Sequence, residues 1–262
     1  MNKLRTYLTL FLFFTIAGCT FKSVAVNNLE QIVSFRLGGQ LHLYFSQKTQ
    51  LKDKLQTWIL APEQKEKIQK VSLLMTNFDW QKSNLAEFYT TINQIYLSLA
   101  MSFNQILAES LSLLDEKQQK KFFVSMEKEN QKIRKDETVG DGIRRMLGFC
   151  FDEITIVQEE LLSKTFDTES SPAKTRLQRR LSSQQALKEI YQLQLSPEQR
   201  VPLIKQALDD SVKTPPDSAQ IEKNLSFFNE LVQTLTPEQL KTFDTKRLEI
   251  LETLDLLLKR AE

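Results

Sequence analysis

Few residues of this chain could do chemistry. There is one histidine, His42, in "QLHLYF". Ser–His and Cys–His catalysis would both have to use it. No G-x-S-x-G turn and no cysteine in a polar setting stands ready as its nucleophile. A lone histidine beside apolar residues reads as packed or hydrogen-bonded. Cys150, in "LGFCF", has the apolar setting of a buried thiol, with an intermolecular disulfide as the sharper alternative. Metal sites need spaced clusters of His, Cys or carboxylate. No such set is found, and no G-x-x-x-x-G-K phosphate loop exists among the 6 glycines, so neither a metal nor a diffusible cofactor is expected. The carboxylate pairs Asp152-Glu153 and Glu159-Glu160 flank a helix start. They leave hydrolysis by paired carboxylates as the one open route to an enzyme, although acidic residues also suit a helix N-terminus. The expectation is no catalysis.

The elements that would position these residues are helices. Gly (6) and Pro (7) are scarce, against about 18 and 13 for average usage at this length. Apolar residues at 85, 88, 92, 95, 96, 99, 103, 106, 107 and 111 form one long amphipathic stripe. Shorter stripes run through Ile68–Phe78, Ile221–Val232 and Leu240–Leu258. No convincing strand alternation appears. "SFRLGGQLHLYF" (34 to 45) is the one candidate, with Gly38-Gly39 read as a bend.

A phrase returns along the chain: "LDEKQ" (114 to 118), "ITIVQ" (154 to 158), "LSPEQ" (195 to 199) and "LTPEQ" (235 to 239). Each reads as a helix start. Asp115, Thr155, Ser196 and Thr236 suit the N-cap, and Gln118, Gln158, Gln199 and Gln239 fall at N3, where the side chain reaches back to the cap residue's N–H. Pro197 and Pro237 sit at N1, and Leu235 with Leu240 has the spacing of a hydrophobic staple. The beat is about 40 residues. Each interval holds a mid-point breaker, "DETVGDG" (136 to 142), "DTESSP" (167 to 172) or "KTPPDS" (213 to 218), so one interval is two helices and a turn. "LAPEQ" (60 to 64) is out of phase, and its Ala61 is a poor cap. The expected fold is all-α: nine or ten helices as antiparallel hairpins with a roughly 40-residue repeat, packed as a bundle or short curved stack. Expected regions are 1–18, 19–50 (an N-terminal anchor segment), 51–114 (a helical subregion) and 115–262 (the hairpin repeats, continuous with what precedes). Asn130 follows Phe122 and Met126 at helical spacing, and is expected on a packed face, hydrogen-bonded to a neighbouring helix end.

The N-terminus carries Lys3 and Arg5, then an apolar run from Tyr7 to Ile16, then Ile16-Ala17-Gly18-Cys19. The order of basic head, short apolar core and small residues is that of a secretory signal, and the run is short for a membrane span. Ile-Ala-Gly-Cys resembles the lipobox of bacterial lipoproteins. The resemblance implies cleavage before Cys19, a diacylglycerol and an N-acyl chain on Cys19, and anchoring by two lipid signals. Thr20, in place of an aspartate, implies the outer membrane in enteric-type bacteria. Loss of Lys3 and Arg5 brings the formal charge from +2 to 0, which gives no electrostatic case for nucleic acid.

With "VAVNNLEQIVSFRL" (24 to 37), "LLDEKQQKKFFVSMEKENQKIRK" (113 to 135) and "RRMLGFCFDEITIVQ" (144 to 158), the chain resembles a family of proteobacterial helical lipoproteins. That likeness implies fold and location, not an activity, and Gly38-Gly39-Gln40 departs from the acidic, aromatic sequence expected there. The short L-[ST]-x-x-Q phrases are similar to those of periplasmic stress proteins of the CpxP and Spy type, which are helical and chaperone-like. The expectation is a lipid-anchored protein on the periplasmic face of the outer membrane that binds an envelope protein partner or client as an adaptor or chaperone. The alternatives are the carboxylate hydrolase and a purely structural spacer.

Overall fold

The structure, a computed structural model, describes residues 19–79, 82–133, 139–166, 172–213 and 218–260. Among these it holds twelve helices and no strand. They are α1 (Cys19–Asn27), α2 (Leu29–Gln40), α3 (Phe45–Ile59), α4 (Pro62–Thr76), α5 (Leu85–Ser112), α6 (Glu116–Ile133), α7 (Val139–Phe151), α8 (Ile156–Phe166), α9 (Pro172–Gln192), α10 (Pro197–Lys213), α11 (Ser218–Val232) and α12 (Pro237–Arg260). The all-α reading holds, with more helices than the nine or ten expected. Much of the surplus is N-terminal, where α1, α2 and the first turns of α3 occupy the segment 19–50 read from the sequence as an anchor. The proposed cleavage signal, and most of the three mid-point breakers, fall on residues outside those described.

Start signals in the sequence match the helices. Pro62, Pro172, Pro197 and Pro237 each open one at N1, where a missing N–H leaves nothing unbonded. Asn84 caps α5, its side chain accepting from the N–H groups of Ala86 (3.1 Å) and Glu87 (3.2 Å). The pair Gly38-Gly39 is not a bend. Helix α2 runs through both, and the chain turns only at residues 41 to 44. Gly38 lies where α3 approaches so closely that an added Cβ would stand 2.7 Å from Lys48 Cγ. The bend comes at His42, which takes a left-handed φ of 55°.

The 28-residue α5 is the spine, about 42 Å long at 1.5 Å per residue. Its C-terminal half packs Phe103, Ile106, Leu107 and Leu111 against Leu51 and Leu55 of α3, Phe122 of α6, Leu187 of α9 and Ile204 and Leu208 of α10. A second core joins Leu147 and Phe151 of α7, Leu162 and Phe166 of α8, and Phe227 and Leu231 of α11, with Phe243 of α12 against its edge. Phe78 bridges the two regions, touching Phe88 of α5 (ring centroids 4.5 Å) and Phe243 (6.1 Å). Full burial of such side chains stabilises by about 1.5–3 kcal/mol each.

Helix α12 ties together distant parts of the chain. Arg247 Nη1 donates to the carbonyls of Met75, Thr76 and Phe78, closing the C-terminal end of α4. Lys22 pairs with Glu252 at 3.3 Å. Arg260 donates to the Val26 carbonyl (2.7 Å) and to the buried carboxylate of Glu30 (2.6 Å). In a stack of repeats each unit would touch only its neighbours. Here α5 packs along α10, and α12 meets α1, α4 and α7. The packing is that of a bundle, and the 40-residue beat does not organise it.

Candidate functional site

Three of the four glutamines of the repeated phrase, Gln118, Gln158 and Gln239, are buried and bonded across helix starts. At the start of α8, Thr155 N–H donates to Gln158 Oε1 (3.0 Å) and Gln158 N–H to Thr155 Oγ1 (3.3 Å). At the start of α12, Thr236 and Gln239 repeat this box at 3.1 and 3.2 Å. The two boxes then face each other. Gln158 Nε2 donates to Gln239 Oε1 and Gln239 Nε2 to Gln158 Oε1, both at 2.8 Å. The second proton of each amide goes to a carbonyl in the partner's turn: Thr234 (3.1 Å) for Gln158 and Glu153 (2.9 Å) for Gln239. Every donor and both acceptor sites of these two buried amides are used. That satisfaction lets a polar pair sit in the interior without the penalty of an orphaned group.

The same arrangement joins α3 to α6. Asp115 and Gln118 form a box at 3.1 and 2.8 Å, and Gln118 Nε2 donates to Gln47 Oε1 (2.7 Å) and to the His42 carbonyl (2.8 Å). Gln47 Nε2 reaches the Leu113 carbonyl (3.0 Å) and Tyr44 N–H reaches Gln47 Oε1 (2.9 Å). In both pairs the accepting carbonyl lies five residues before the partner glutamine. Sequence reading missed Gln47 because its cap residue is Tyr44, a poor capping type. Tyr44 supplies only its backbone N–H, while its hydroxyl donates to Asp115 (2.8 Å). The signal was the branched aliphatic residue four positions ahead, Leu43, matching the Leu or Ile at that place in every other copy. That hydroxyl and the Gln118 N–H hold the Asp115 carboxyl below the usual range, the N–H contributing most.

Two further copies depart from this pattern. Ser196 and Gln199 form their box at 3.0 and 3.4 Å, but Gln199 is exposed and meets no partner glutamine. The bridging is done instead by Tyr191 and Arg200, which donate to the Leu111 (2.7 Å) and Ser112 (3.4 Å) carbonyls at the end of α5. Gln64 is buried beside Ala61, which offers no cap.

Asn130 is fully buried on α6, as its spacing implied, but its partners are side chains of α9 rather than a helix end. It exchanges bonds with Gln184 (2.8 and 3.1 Å), and Arg180 Nε donates to its oxygen (2.9 Å).

The residues singled out for chemistry do not converge. His42 Nε2 stands 2.9 Å from Ser125 Oγ, yet no carboxylate among the described residues bonds the ring. Asp152 leans to Lys246 (3.7 Å), and Glu159 pairs with Arg144 (2.6 Å). Cys150 is half-buried at the second core; burial pushes its thiol up to about 11, with Lys246 opposing. It stays protonated at neutral pH and is a poor nucleophile. Cys19 opens α1.

An open groove of about 760 Å³ lies among α3, α4, α5 and α10. Trp58 forms its wall, its indole N–H on Ser102 Oγ (3.0 Å) and its ring against Phe103 (5.4 Å). Met101 and Ile106 supply further apolar surface. Charged groups at the rim are tethered. Lys54 pairs with Glu109, to which Gln105 also donates (2.7 Å). Lys205 pairs with the buried Asp209 (2.5 Å), which also accepts from Asn104 (2.9 Å). Burial raises the Glu109 pKa, but the Lys54 and Gln105 bonds outweigh it and the net shift is downward. Comparison with protein-family models, curated proteins and solved structures returns no match.

Proposed function

We propose that this chain is a lipid-anchored envelope protein, held through Cys19 at the periplasmic face of the outer membrane, that binds other envelope proteins as an adaptor or chaperone and catalyses nothing. The observation that carries the binding role is the groove walled by Trp58, Met101 and Ile106. It combines apolar surface with charged groups already fixed in pairs, so a polypeptide segment laid in it meets preorganised polar contacts. The Ile-Ala-Gly-Cys sequence supports the anchor. No observation favours the hydrolase, since Asp152 and Glu159 are engaged with separate cations.

The test is crosslinking in intact envelopes followed by purification of the protein, for wild type and for Met101→Glu, which places a charge in the groove and leaves the Trp58–Ser102 bond alone. One stoichiometric partner that disappears in the variant identifies an adaptor. A broad set of immature envelope proteins that thins in the variant identifies a chaperone, and the purified protein should then suppress client aggregation. An unchanged set removes the groove from the reading. Cys19→Ala should abolish palmitate labelling and membrane retention.

A further inference from the structure

We infer that the outer face of the α1–α2–α3 hairpin is a second, non-covalent membrane contact that docks on an anionic lipid surface. Helices α1 and α2 are nearly one helix: Asn28 N–H bonds the Val24 carbonyl (3.1 Å) and Ile32 N–H the Asn28 carbonyl (3.0 Å) across their junction. The face position therefore carries through. Val24, Ile32 and Phe35 lie eight and three residues apart, on one side, and are 55%, 38% and 71% exposed. Lys48 of α3 sits over the Phe35 ring, its ammonium 5.7 Å from the centroid. Three residues before it on the same face is Phe45, 86% exposed, the most open large apolar residue of those described. The apolar stripe thus starts beside the Cys19 end of the molecule and continues to the hairpin tip.

Charge selects the occupant. From Gln31 to Lys52 the chain carries Arg36, Lys48 and Lys52 and no carboxylate. Across the Gln47–Gln118 pair the start of α6 adds Asp115 and Glu116 but also Lys117, Lys120 and Lys121. Exposed aromatic and aliphatic side chains flanked by lysine and arginine are what an amphipathic element needs to lie in an anionic lipid interface. The other glutamine pair provides the contrast. Ile156, 79% exposed, opens α8 as Phe45 opens α3, but Asp152, Glu153, Glu159 and Glu160 surround it in sequence, and the cations packed there, Lys246 and Arg144, are each paired with one of these carboxylates. An anionic surface would take the Phe45 end and reject the Ile156 end.

The inference rests on the proposed membrane placement for its setting, and the experiment separates the two. The full chain is reconstituted in vesicles with brominated acyl chains, of phosphatidylethanolamine with phosphatidylglycerol or of phosphatidylcholine alone. Tryptophan emission is read for Phe45→Trp and Ile156→Trp as the difference from wild type. Docking carries position 45 about 5–10 Å into the interface, so its emission should be quenched in the anionic vesicles, spared in the neutral ones, and unquenched at position 156 in both. Arg36→Gln and Lys48→Gln should each shift the docked population about fivefold toward release. Protein that floats with the vesicles but shows no quenching at position 45, or equal quenching at 45 and 156, overturns the inference. A Cys19 without acyl groups by mass spectrometry, with position 45 still quenched, overturns the anchor and keeps the docking face.

Discussion

Replacing Gln158 by alanine tests whether the paired glutamines hold the second half of the fold. The side chain takes part in four hydrogen bonds: from Thr155 N–H, to the Thr234 carbonyl, and one in each direction with Gln239. At about 1 kcal/mol net for each, their loss costs about 4 kcal/mol. On a chain of this size that lowers Tm by about 10 °C. The internal control is Gln199→Ala. Gln199 has the same box, but its side chain accepts only from Ser196 N–H and lies in water, so about 0.5–1 kcal/mol is expected. Gln158→Glu should be no milder than alanine, because it turns an oxygen toward the Thr234 carbonyl and Gln239 Oε1, where donors now sit. The double variant Gln158→Ala, Gln239→Ala should fall short of the sum of the singles by about 1–3 kcal/mol, since the two mutual bonds are counted twice. Thermal and urea unfolding followed by far-ultraviolet circular dichroism read all of these. Equal losses for Gln158→Ala and Gln199→Ala, or strict additivity in the double variant, would refute the reasoning.

Asn130→Leu removes three buried bonds and should cost roughly 3 kcal/mol; an unchanged urea midpoint would show that Gln184 and Arg180 find other partners without loss. Gly39→Ala should stabilise by about 0.5–1 kcal/mol, as α2 is helical there and the space is open. Gly38→Ala should gain less or lose, because Lys48 must move; equal gains at both positions would remove the close-approach argument. Asp115 has a folded pKa below its ordinary value, so its contribution is present above the normal carboxylate range and fades as pH falls through the lowered pKa. The urea midpoint of wild type should therefore exceed that of Asp115→Asn at pH 7 and converge on it in acid, and a gap constant with pH would contradict this.

Helix starts were legible because they are local: a cap residue, a proline and a glutamine three positions on suffice. The stripe along α5 was legible for the same reason, through its period. What joins the starts was not. Gln158 and Gln239 are 81 residues apart, and Gln47 and Gln118 are 71. The first separation spans two intervals of the 40-residue beat and the second fits none, so equal spacing suggested adjacent neighbours where the fold pairs copies that are not adjacent. Gly38-Gly39 misled because glycine signals both bends and close packing, and only the approach of α3 tells them apart. The groove was invisible because Trp58, Met101 and Lys205 share no pattern in the chain.

Glu30 finds its cation in Arg260, 230 positions along the chain, and Lys22 finds its carboxylate in Glu252. The first helices therefore cannot complete their electrostatic environment until the last turn of the last helix is present. A partial chain has Glu30 without its counter-ion and the α1 face without its cover. Closing a loop of that length carries an entropy cost that shorter-range contacts do not. A chain still being made lacks this contact, and its first helices lock only when its end arrives. A chain cut short by its last turn keeps the Lys22–Glu252 pair but leaves the buried Glu30 without its cation.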